Sequence, residues 1–443
     1  MMTEAAMHGQ PIWHAPAGTV LGWHDGPVDR ATGIRYARAA RLATPRPVGD
    51  ANEPLQATSW SPACPQAPVP LLDEAVGSSI GKLPVDEDCM RVSVTVPAGT
   101  EPDAGLPVMV WLHGGSYVSG AGDAPFYDPS TLVAEQNVVV VNVTYRLGLF
   151  GYLGDGKTSP ANLGLLDQIE ALRWVHRNIS AFGGDAANVT IFGQSAGGDA
   201  AAHLMIAEGT RGLFRRAIVQ SAPFGLMKSR SKMNAVMSRT VSGLAPDAHW
   251  EEVTSAQSTV EKAAARFGLK GQMPFGVQYG HPPLPAEKDL DAAWREVAPE
   301  VEVLVGYTTR EVALFAAAVP VLLKRLEKPK RDPALEQLVV KPLTKRIYGT
   351  GAKAFASRHA AAGGNVTGYV LSYGNEEHPL NAAHIAELPL LFPSSAWEGA
   401  PSALGLSLND MQERGRLLRA QWAEFARGGT VSSLPEIGFR VLS

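Results

Sequence analysis

Short apolar runs alternate with stretches of helical periodicity through most of the chain. Continuous apolar runs predict strands that are buried on both faces of a sheet. These runs are residues 107–112, 137–143, 188–192, 216–220, 301–306 and 368–373. Between them, residues 162–179 repeat apolar side chains at helical spacing, and residues 199–207 form an Ala-rich helical stretch. Strands that alternate with helices predict an α/β fold, with a mainly parallel central sheet and helices on both faces.

The two ends of this alternation differ from its middle. The first hundred residues are Pro-rich and contain short β-like pieces such as 91–96, which predict an antiparallel N-terminal edge on the same sheet. Two Ala-rich, charged segments, approximately 224–299 and 315–364, interrupt the alternation and predict helical roof insertions above the sheet. Because there is no long linker, charge block or internal repeat, we expect residues 1–443 to form a single domain.

Composition and charge exclude several function classes. Hydrophobic residues make up 45% of the 443 residues, so the chain can form a sizeable core. Lys and Arg number 39 against 43 Asp and Glu, a net charge of −4 that attracts neither nucleic acid nor an acidic membrane surface. Cys64 and Cys89 are the only cysteines, too few for a disulfide scaffold or a four-cysteine metal site.

The N-terminal residues and the apolar runs predict a cytoplasmic protein. The first residues include Glu4 and contain neither a basic region nor the apolar stretch of a secretory signal. The most strongly apolar run, residues 138–143, is interrupted by Asn142 and is much shorter than a membrane span. No membrane-spanning segment is therefore expected.

The pattern Gly-x-Ser-x-Gly occurs twice, and the flanking sequence separates the two copies. Residues 77–81 follow no predicted strand, so this copy is expected in a loop. Gly193-Gln-Ser-Ala-Gly197 lies between a predicted strand and a helix, as a nucleophile elbow does. A tight turn there would raise Ser195 Oγ above the sheet, and the amide of Ala196 would face a developing oxyanion. The alternative is an inert serine in a close helix–strand contact.

Residues 151–158 match the Walker A pattern, yet they are not predicted to bind a nucleotide. A phosphate-binding loop begins its helix at the Gly-Lys-Thr, whereas here Pro160 follows two residues later and disfavours helix at Ser159. Asp155 would also place a carboxylate where phosphate should lie. We therefore do not expect a nucleotide hydrolase.

His113-Gly-Gly-Ser-Tyr117 directly follows a predicted buried strand. Glycines at a strand end can turn backbone N–H groups toward an anion, as in esterases with an HGG-type oxyanion loop. Alone, this segment would also fit an ordinary turn. Together with the elbow, and in this chain order, it predicts an oxyanion hole built from two loops.

An activated serine needs a histidine base, which follows the serine and the acid along the chain in hydrolases built on such a sheet. Of the histidines after Ser195, His378 and His384 follow the strand predicted at 368–373, at the carboxyl edge of the sheet. The apolar segment after His384 would anchor its loop, so His384 is favoured over His378.

The base in turn needs a carboxylate that orients it. Glu311 lies just beyond the strand predicted at 301–306, and Glu302 lies within that strand. Because a strand-end loop can reach the histidine, Glu311 is the better candidate.

Several segments of the chain resemble the type B carboxylesterases, a family that includes para-nitrobenzyl esterases and cholinesterases. The resemblance is nearly continuous from about residue 89 to residue 221, and it resumes near Glu311 and His384. The segments that carry it are residues 111–117, 143–148, 162–168, 181–198, 306–311, 383–389 and 422–426.

This resemblance implies the α/β-hydrolase fold and a serine carboxylesterase that acts without a cofactor on small-molecule esters. It agrees with the choice of nucleophile, acid and base made from the residues, and it places the oxyanion donors on three backbone N–H groups. The residues that it implies are the catalytic Ser195, Glu311 and His384 and the oxyanion-hole residues Gly115, Ser116 and Ala196.

The chain also departs from the family pattern. Gln194 stands before the nucleophile, where Glu is commonest. Val312 replaces the Gly that usually follows the acid, and we expect this replacement to alter the bend of that turn. Cys64 and Cys89 match a disulfide pair of many relatives, while two reduced thiols are equally compatible with a cytoplasmic enzyme.

Four aromatic residues and one arginine are candidates for substrate recognition. Tyr117, Phe224, Phe315 and Trp397 are candidate pocket walls, and Arg35 would favour an acidic substrate if it lay near the mouth. Two alternative functions remain. The same site would suit amides, carbamates or lactones, and a non-catalytic interaction domain is the alternative from another class.

Overall fold

A ten-stranded sheet organises the computed structural model, which describes residues 9–77, 83–156, 159–245, 247–326, 332–374 and 378–442. Its strands, β1 to β10 in chain order, are Trp23–Asp25, Val28–Arg35, Arg91–Pro97, Leu106–Leu112, Val139–Thr144, Gly184–Gln194, Arg216–Gln220, Glu302–Thr308, Val366–Leu371 and Phe439–Leu442. Across the sheet they lie in the order β10-β9-β8-β7-β6-β4-β5-β3-β2-β1.

The six central strands of the sheet, β9 to β5 in this spatial order, pair in parallel. β3, β2 and β1 continue the sheet as an antiparallel edge, which confirms the predicted N-terminal edge. β10 adds an antiparallel strand at the opposite edge, which the sequence pattern did not predict. Shorter strands form two small sheets outside this one. They are Ile12–Ala15, Gly18–Leu21, Leu55–Gln56, Ala37–Arg38 and Arg46–Pro47.

Helices follow most of the strands and fill both predicted roof insertions. The α-helices, α1 to α16 in chain order, are Pro70–Ala75, Ser130–Gln136, Gly148–Gly151, Leu163–Asn178, Ala196–Leu204, Phe224–Met227, Ser231–Thr240, Trp250–Ala265, Leu290–Val297, Val312–Ala317, Pro320–Leu326, Pro333–Leu335, Lys341–Thr344, Thr350–Ala361, Leu388–Leu391 and Leu408–Gly428. Two π-helical segments, Glu336–Val340 and Lys345–Gly349, join α12, α13 and α14. Within the described residues, no helix combines the length and apolar character needed to cross a bilayer.

Alternate side chains of each central strand enter two separate cores, because successive residues of a strand face opposite sides of the sheet. Val110 pairs with Val141 and Ile191 in the core that also contains α4 and α5. The next residue, Trp111, enters the other core with α2 and α16, and its ring lies 4.9 Å from that of Phe192. This two-sided burial explains why the central strands are continuous apolar runs.

The structure describes only part of each of the two motifs that were not expected to be functional. Residues 78–81 of the first Gly-x-Ser-x-Gly pattern, and residues 157 and 158 of the Walker A match, lie outside the described residues. In the rest of the Walker A match no helix begins, and the next helix along the chain is α4.

Cys64 and Cys89 are buried free thiols, so the structure does not contain the disulfide that the resemblance offered as one alternative.

Candidate active site

Ser195 lies in the turn between β6 and α5, as predicted. Its φ of 60° and ψ of −121° are strained for a residue with a side chain, so the surroundings must hold them. Ser195 N donates to Gln220 O, and Asp199 N donates to Ser195 O, both at 2.9 Å. A Cβ on Gly197 would lie 1.9 Å from Leu112 O, which explains why this position must be glycine. The turn therefore presents Ser195 at the carboxyl edge of the sheet.

His384 and Glu311 meet in the loops that follow β9 and β8. His384 Nδ1 is hydrogen-bonded to Glu311 Oε2, and Thr308 N donates to Glu311 Oε1 at 2.8 Å. The rings of Phe315 and Tyr348 each lie 5.3 Å from the imidazole. Because the carboxylate accepts from Nδ1, the lone pair of His384 is directed to Nε2, the atom that a general base uses.

Ser195 and His384 line the same cavity. Within the described residues no hydrogen bond joins Ser195 Oγ to the imidazole. The amide nitrogen of Gln194 instead lies 3.3 Å from His384 Nε2 and 3.4 Å from Nδ1. The hydrogen bond between a catalytic serine and its histidine is often long in a free enzyme and tightens when substrate binds. Ser195 and His384 thus share one cavity without a hydrogen bond between them.

The loop after β4 has three consecutive residues with a left-handed backbone, with φ of 112° at Gly115, 56° at Ser116 and 61° at Tyr117. In the part of the chain that the structure describes, the N–H groups of Gly115, Ser116 and Ala196 donate to no protein acceptor. Gly115 and Ser116 line the cavity of Ser195, and Ala196 begins α5. Unpaired backbone donors beside a nucleophile are suited to bind an oxyanion.

His113 supports this loop without adding a charge. Burial lowers the pKa of its imidazole to about 4, so the ring is neutral at pH 7. Its Nδ1 lies 2.8 Å from Gly114 O, and Tyr145 donates its hydroxyl to His113 O at 2.6 Å. The His113 and Tyr145 rings stack at 4.4 Å, which fixes the start of the loop against β5.

The cavity at Ser195 is small and largely apolar. Its volume is about 30 Å³, enough for roughly one or two water molecules. The residues that line it are Leu72, Val76, Gly114, Gly115, Ser116, Gly120, Phe126, Tyr127, Gln194, Ser195, Phe315, His384, Ile385 and Leu388. The enclosed part of the cavity is therefore smaller than an ester of ordinary size.

Of the four aromatic residues predicted as pocket walls, only Phe315 lines this cavity. Tyr117 is fully buried and donates its hydroxyl to Asp199 Oδ2 at 2.7 Å. Phe224 stacks on Phe355 with 5.4 Å between ring centroids. Trp397 is fully buried, and its indole N–H donates to two backbone carbonyls. The structure thus packs these three aromatic side chains away from the cavity of Ser195.

Arg35 does not lie at the mouth of this cavity. It is paired with Asp88 and lines a separate cavity of about 630 Å³. Among the described residues that line the cavity of Ser195 there is no lysine or arginine. The expected preference for an acidic substrate therefore loses its basis.

The turn at Glu311 keeps a regular backbone although Val312 replaces the usual glycine. Glu311 has φ −37° and ψ −48°, and α10 begins at Val312. Val312 N donates to Thr344 Oγ1 at 3.2 Å, in the second roof insertion. Because the turn is helical, it needs no left-handed residue, and Val312 fits its backbone conformation.

Arg310 holds the loops of the acid and the histidine together, and the sequence patterns did not indicate this role. Its guanidinium donates to Glu336 Oε1 at 2.5 Å and 3.1 Å. The same group donates to Pro379 O at 3.0 Å and to Asn381 O at 2.8 Å, in the loop that carries His384. Arg310 and Glu336 are 5% and 7% exposed, so this is a buried ion pair between elements far apart in the chain.

A second buried carboxylate, Glu387, lies three residues after His384. It is 2% exposed, and Gln220 Nε2 donates to its Oε1 at 3.4 Å. Its Oε2 has no partner in the described part of the structure. Burial, helped by the nearby charge of Glu311, raises the pKa of Glu387 to about 7.

Comparison with known proteins identifies the family. The family model described as "Carboxylesterase family" matches residues 9–332, which is more than half of the chain. The chain belongs to the carboxylesterase family. This membership makes it a carboxylic-ester hydrolase with the α/β-hydrolase fold.

Two curated relatives match this carboxylesterase along most of its length. The para-nitrobenzyl esterase of Bacillus subtilis is 32% identical over 450 residues, covering 94% of this chain and 89% of the relative. A probable N-octanoylanthranilate hydrolase of Rhodococcus erythropolis is 35% identical over 425 residues, covering 94% of this chain and 93% of the relative.

Solved structures show the same likeness. A para-nitrobenzyl (PNB) esterase aligns with a TM-score of 0.77 and 27% identity, covering 98% of this chain and 93% of that one. An esterase of Clostridium hathewayi, described as able to hydrolyse aliphatic aromatic polyesters, aligns with a TM-score of 0.74 and 26% identity over 96% of this chain and 90% of that one.

Proposed function

We propose that this carboxylesterase cleaves its substrates through an acyl-enzyme on Ser195, with His384 as base and Glu311 as the acid that orients it. One observation carries this proposal. The imidazole bound to Glu311 and the serine of a strained strand–helix turn line the same cavity, at the carboxyl ends of parallel strands of one sheet. A nucleophile, a base and an orienting carboxylate are the groups that acyl transfer needs.

In the first half of the reaction, His384 Nε2 takes the proton of Ser195 Oγ, which forms a bond to the ester carbonyl carbon. The resulting imidazolium, held by Glu311, gives that proton to the departing alkoxide, and the alcohol leaves. Water then gives a proton to His384 and attacks the acyl carbon. Collapse of the second tetrahedral intermediate returns the proton to Ser195 and releases the carboxylic acid.

The negative charge that forms on the carbonyl oxygen would be stabilised by the N–H groups of Gly115, Ser116 and Ala196. Their freedom from protein acceptors supports this role. A donor of this kind is worth about 3 kcal/mol in well-studied hydrolases. Because the donors belong to two loops, their relative position decides how well they bind the oxyanion.

The lining of the cavity points to small, neutral and apolar esters as substrates. Phe315, Phe126 and Leu388 contribute apolar surface, and no described lining residue is a lysine or arginine. A carboxylate on the substrate would therefore lose its hydration without gaining a partner. The small cavity volume predicts faster turnover of acetate and butyrate esters than of long-chain esters.

An N-acyl substrate is the second candidate, because one relative is named as an N-octanoylanthranilate hydrolase. The lack of a lysine or arginine at the cavity does not favour an anthranilate carboxylate. Matched p-nitrophenyl octanoate and N-octanoylanthranilate separate the two candidates. Faster hydrolysis of the ester supports esterase activity, and faster hydrolysis of the N-acyl compound supports the second candidate.

We also propose that the chain acts as one catalytic domain, because the four loops that form the site all follow strands of one sheet. A cytoplasmic location remains a prediction from the sequence. The non-catalytic alternative is tested by the same assay as the catalytic mechanism.

Hydrolysis of p-nitrophenyl acetate and butyrate by the wild type and Ser195→Ala tests the mechanism. We expect kcat/KM to fall by roughly three decades or more in the variant. Circular dichroism and thermal unfolding check that both proteins are folded. An inactive wild type whose Ser195 is not labelled by a fluorophosphonate would contradict the triad and favour a non-catalytic role.

A further inference from the structure

Residues 114–120, which follow β4, form the oxyanion loop. Tyr117 connects this loop to α5, the helix that follows the nucleophile. Its hydroxyl donates to Asp199 Oδ2 at 2.7 Å, and neither side chain is exposed. Asp199 lies in the first turn of α5, where its own N–H donates to Ser195 O. One residue of α5 therefore contacts the nucleophile through its backbone and the oxyanion loop through its carboxylate.

The oxyanion loop needs such a connection, because three successive left-handed residues, Gly115 to Tyr117, are not stable by themselves. Other hydrogen bonds of the oxyanion loop join it to residues outside α5. Gly148 N donates to Tyr117 O at 2.7 Å, and the side-chain amide of Gln66 binds both backbone groups of Gly120. Among the described residues, Tyr117–Asp199 is the only hydrogen bond from residues 114–119 to α5.

The chemistry of the pair suits a permanent bond. Burial, together with the charge of Asp199, raises the pKa of Tyr117 well above its usual value, so the phenol keeps the proton that it donates. A carboxylate in the first turn of a helix is stabilised by the helix dipole. His203 Nδ1 donates to the backbone carbonyl of Asp199 at 2.7 Å and lies 3.4 Å from Oδ1, which has no hydrogen-bond partner among the described residues.

We propose that the Tyr117–Asp199 hydrogen bond positions the two halves of the oxyanion hole, the Gly115 and Ser116 amides on one loop and the Ala196 amide on α5. This inference rests on the oxyanion hole proposed above. Tyr117 and Asp199 are positioning residues, since neither lines the cavity of Ser195. Displacement of catalytic groups by about 1 Å can cost a hundredfold in rate. Loss of the bond is thus expected to lower kcat about tenfold to a hundredfold.

Tyr117→Phe removes the hydroxyl and keeps the ring. Tyr152→Phe is the matched control, because its buried ring lies 4.3 Å from that of Tyr117 while its hydroxyl lies near Gln168, at 3.4 Å. With p-nitrophenyl butyrate we expect kcat to fall in Tyr117→Phe with KM within about twofold of wild type. We expect Tyr152→Phe to keep the wild-type kcat.

A trifluoromethyl ketone gives a second measurement that a purely structural role would not change. Ser195 Oγ adds to its carbonyl and the serine proton moves to His384, so the inhibitor carries its oxyanion in the same hole. Its inhibition constant should rise in Tyr117→Phe by about the factor lost in kcat. Asp199→Asn keeps an oxygen acceptor and should retain most of the activity. Asp199→Ala should match Tyr117→Phe, and the double variant should lose little more.

Two results would overturn the inference in an active enzyme. One is wild-type kcat and inhibitor affinity in Tyr117→Phe, and the other is an equal loss in Tyr117→Phe and Tyr152→Phe. A wild type that neither hydrolyses the ester nor is labelled at Ser195 would overturn the proposed function together with this inference. The labelling experiment therefore tells which of the two has failed.

Discussion

Two buried glutamates lie close to the same imidazole and differ in their hydrogen bonds. Glu311, 73 residues before His384 in the chain, binds its Nδ1 and also accepts from Thr308 N. Among the described residues, Glu387, only three residues after His384, has one long contact at Oε1 and no partner at Oε2. Glu311, the residue farther from His384 in the chain, is thus the one whose two carboxylate oxygens both have hydrogen-bond partners.

The two glutamates thus differ in the donors that surround the carboxylate. Donors stabilise the ionised form, whereas burial without donors stabilises the protonated form. For Glu387 the second effect prevails, since its pKa is raised to about 7. Glu311 has the partners that orienting His384 requires, and Glu387 does not.

Among the substitutions that test this difference between Glu311 and Glu387, Glu311→Gln has the largest expected effect. The amide keeps the shape but carries no negative charge to stabilise the imidazolium, and its NH2 group can donate to His384 Nδ1 and hold the imidazole in the wrong tautomer. We expect kcat for p-nitrophenyl butyrate to fall by roughly 10³ to 10⁴, as in triads where the acid is replaced by an amide. Stopped-flow kinetics and thermal unfolding measure activity and folding on the same samples.

Glu302→Gln is a suitable control for this substitution. Glu302 was the other acid suggested by the sequence, and the structure places it at the start of β8, paired with Arg216. Since the site lies at the other end of β8, this variant should keep wild-type kcat. Equal losses in the two variants would contradict the role of Glu311.

Arg310 connects the loop of Glu311 to the loop of His384, and its replacement has the next largest expected effect. Arg310→Met removes the guanidinium and leaves the carboxylate of Glu336 buried without its partner. Breaking a buried ion pair in this way costs about 3–5 kcal/mol of unfolding free energy. Urea unfolding at pH 7 measures this loss, and kcat should fall as well because the His384 loop loses its bonds at Pro379 and Asn381.

The double variant Arg310→Met/Glu336→Gln separates charge from packing. If the unpaired charge causes most of the loss, the double variant should be more stable than Arg310→Met alone. Equal or lower stability of the double variant would show that the bonds to the two backbone carbonyls matter more than the ion pair.

The sequence predicted those parts of the molecule that depend on local pattern. Buried strands such as β4 are continuous apolar runs, and the elbow at Ser195 has its own glycine spacing. The Arg310–Glu336 and Tyr117–Asp199 bonds join residues 26 and 82 positions apart, and no periodicity encodes such pairs. β10 was missed because it has four residues and the burial pattern Beii, which gives no continuous apolar run.

The smallest expected effect is that of Glu387→Gln, and it depends on pH. In the wild type the folded state holds the proton of Glu387 up to pH about 7, whereas an exposed glutamate releases it near 4.5. The unfolded state therefore loses its proton first, and this glutamate destabilises the fold increasingly as pH rises from about 4.5 to 7. The amide does not titrate, so Glu387→Gln should gain stability relative to wild type by about 2 kcal/mol between pH 5.5 and 7.5. Urea unfolding of both proteins at these two pH values measures the gain, and kcat at pH 7.5 should change less than threefold. A stability difference that is independent of pH would mean that Glu387 is as well partnered as Glu311.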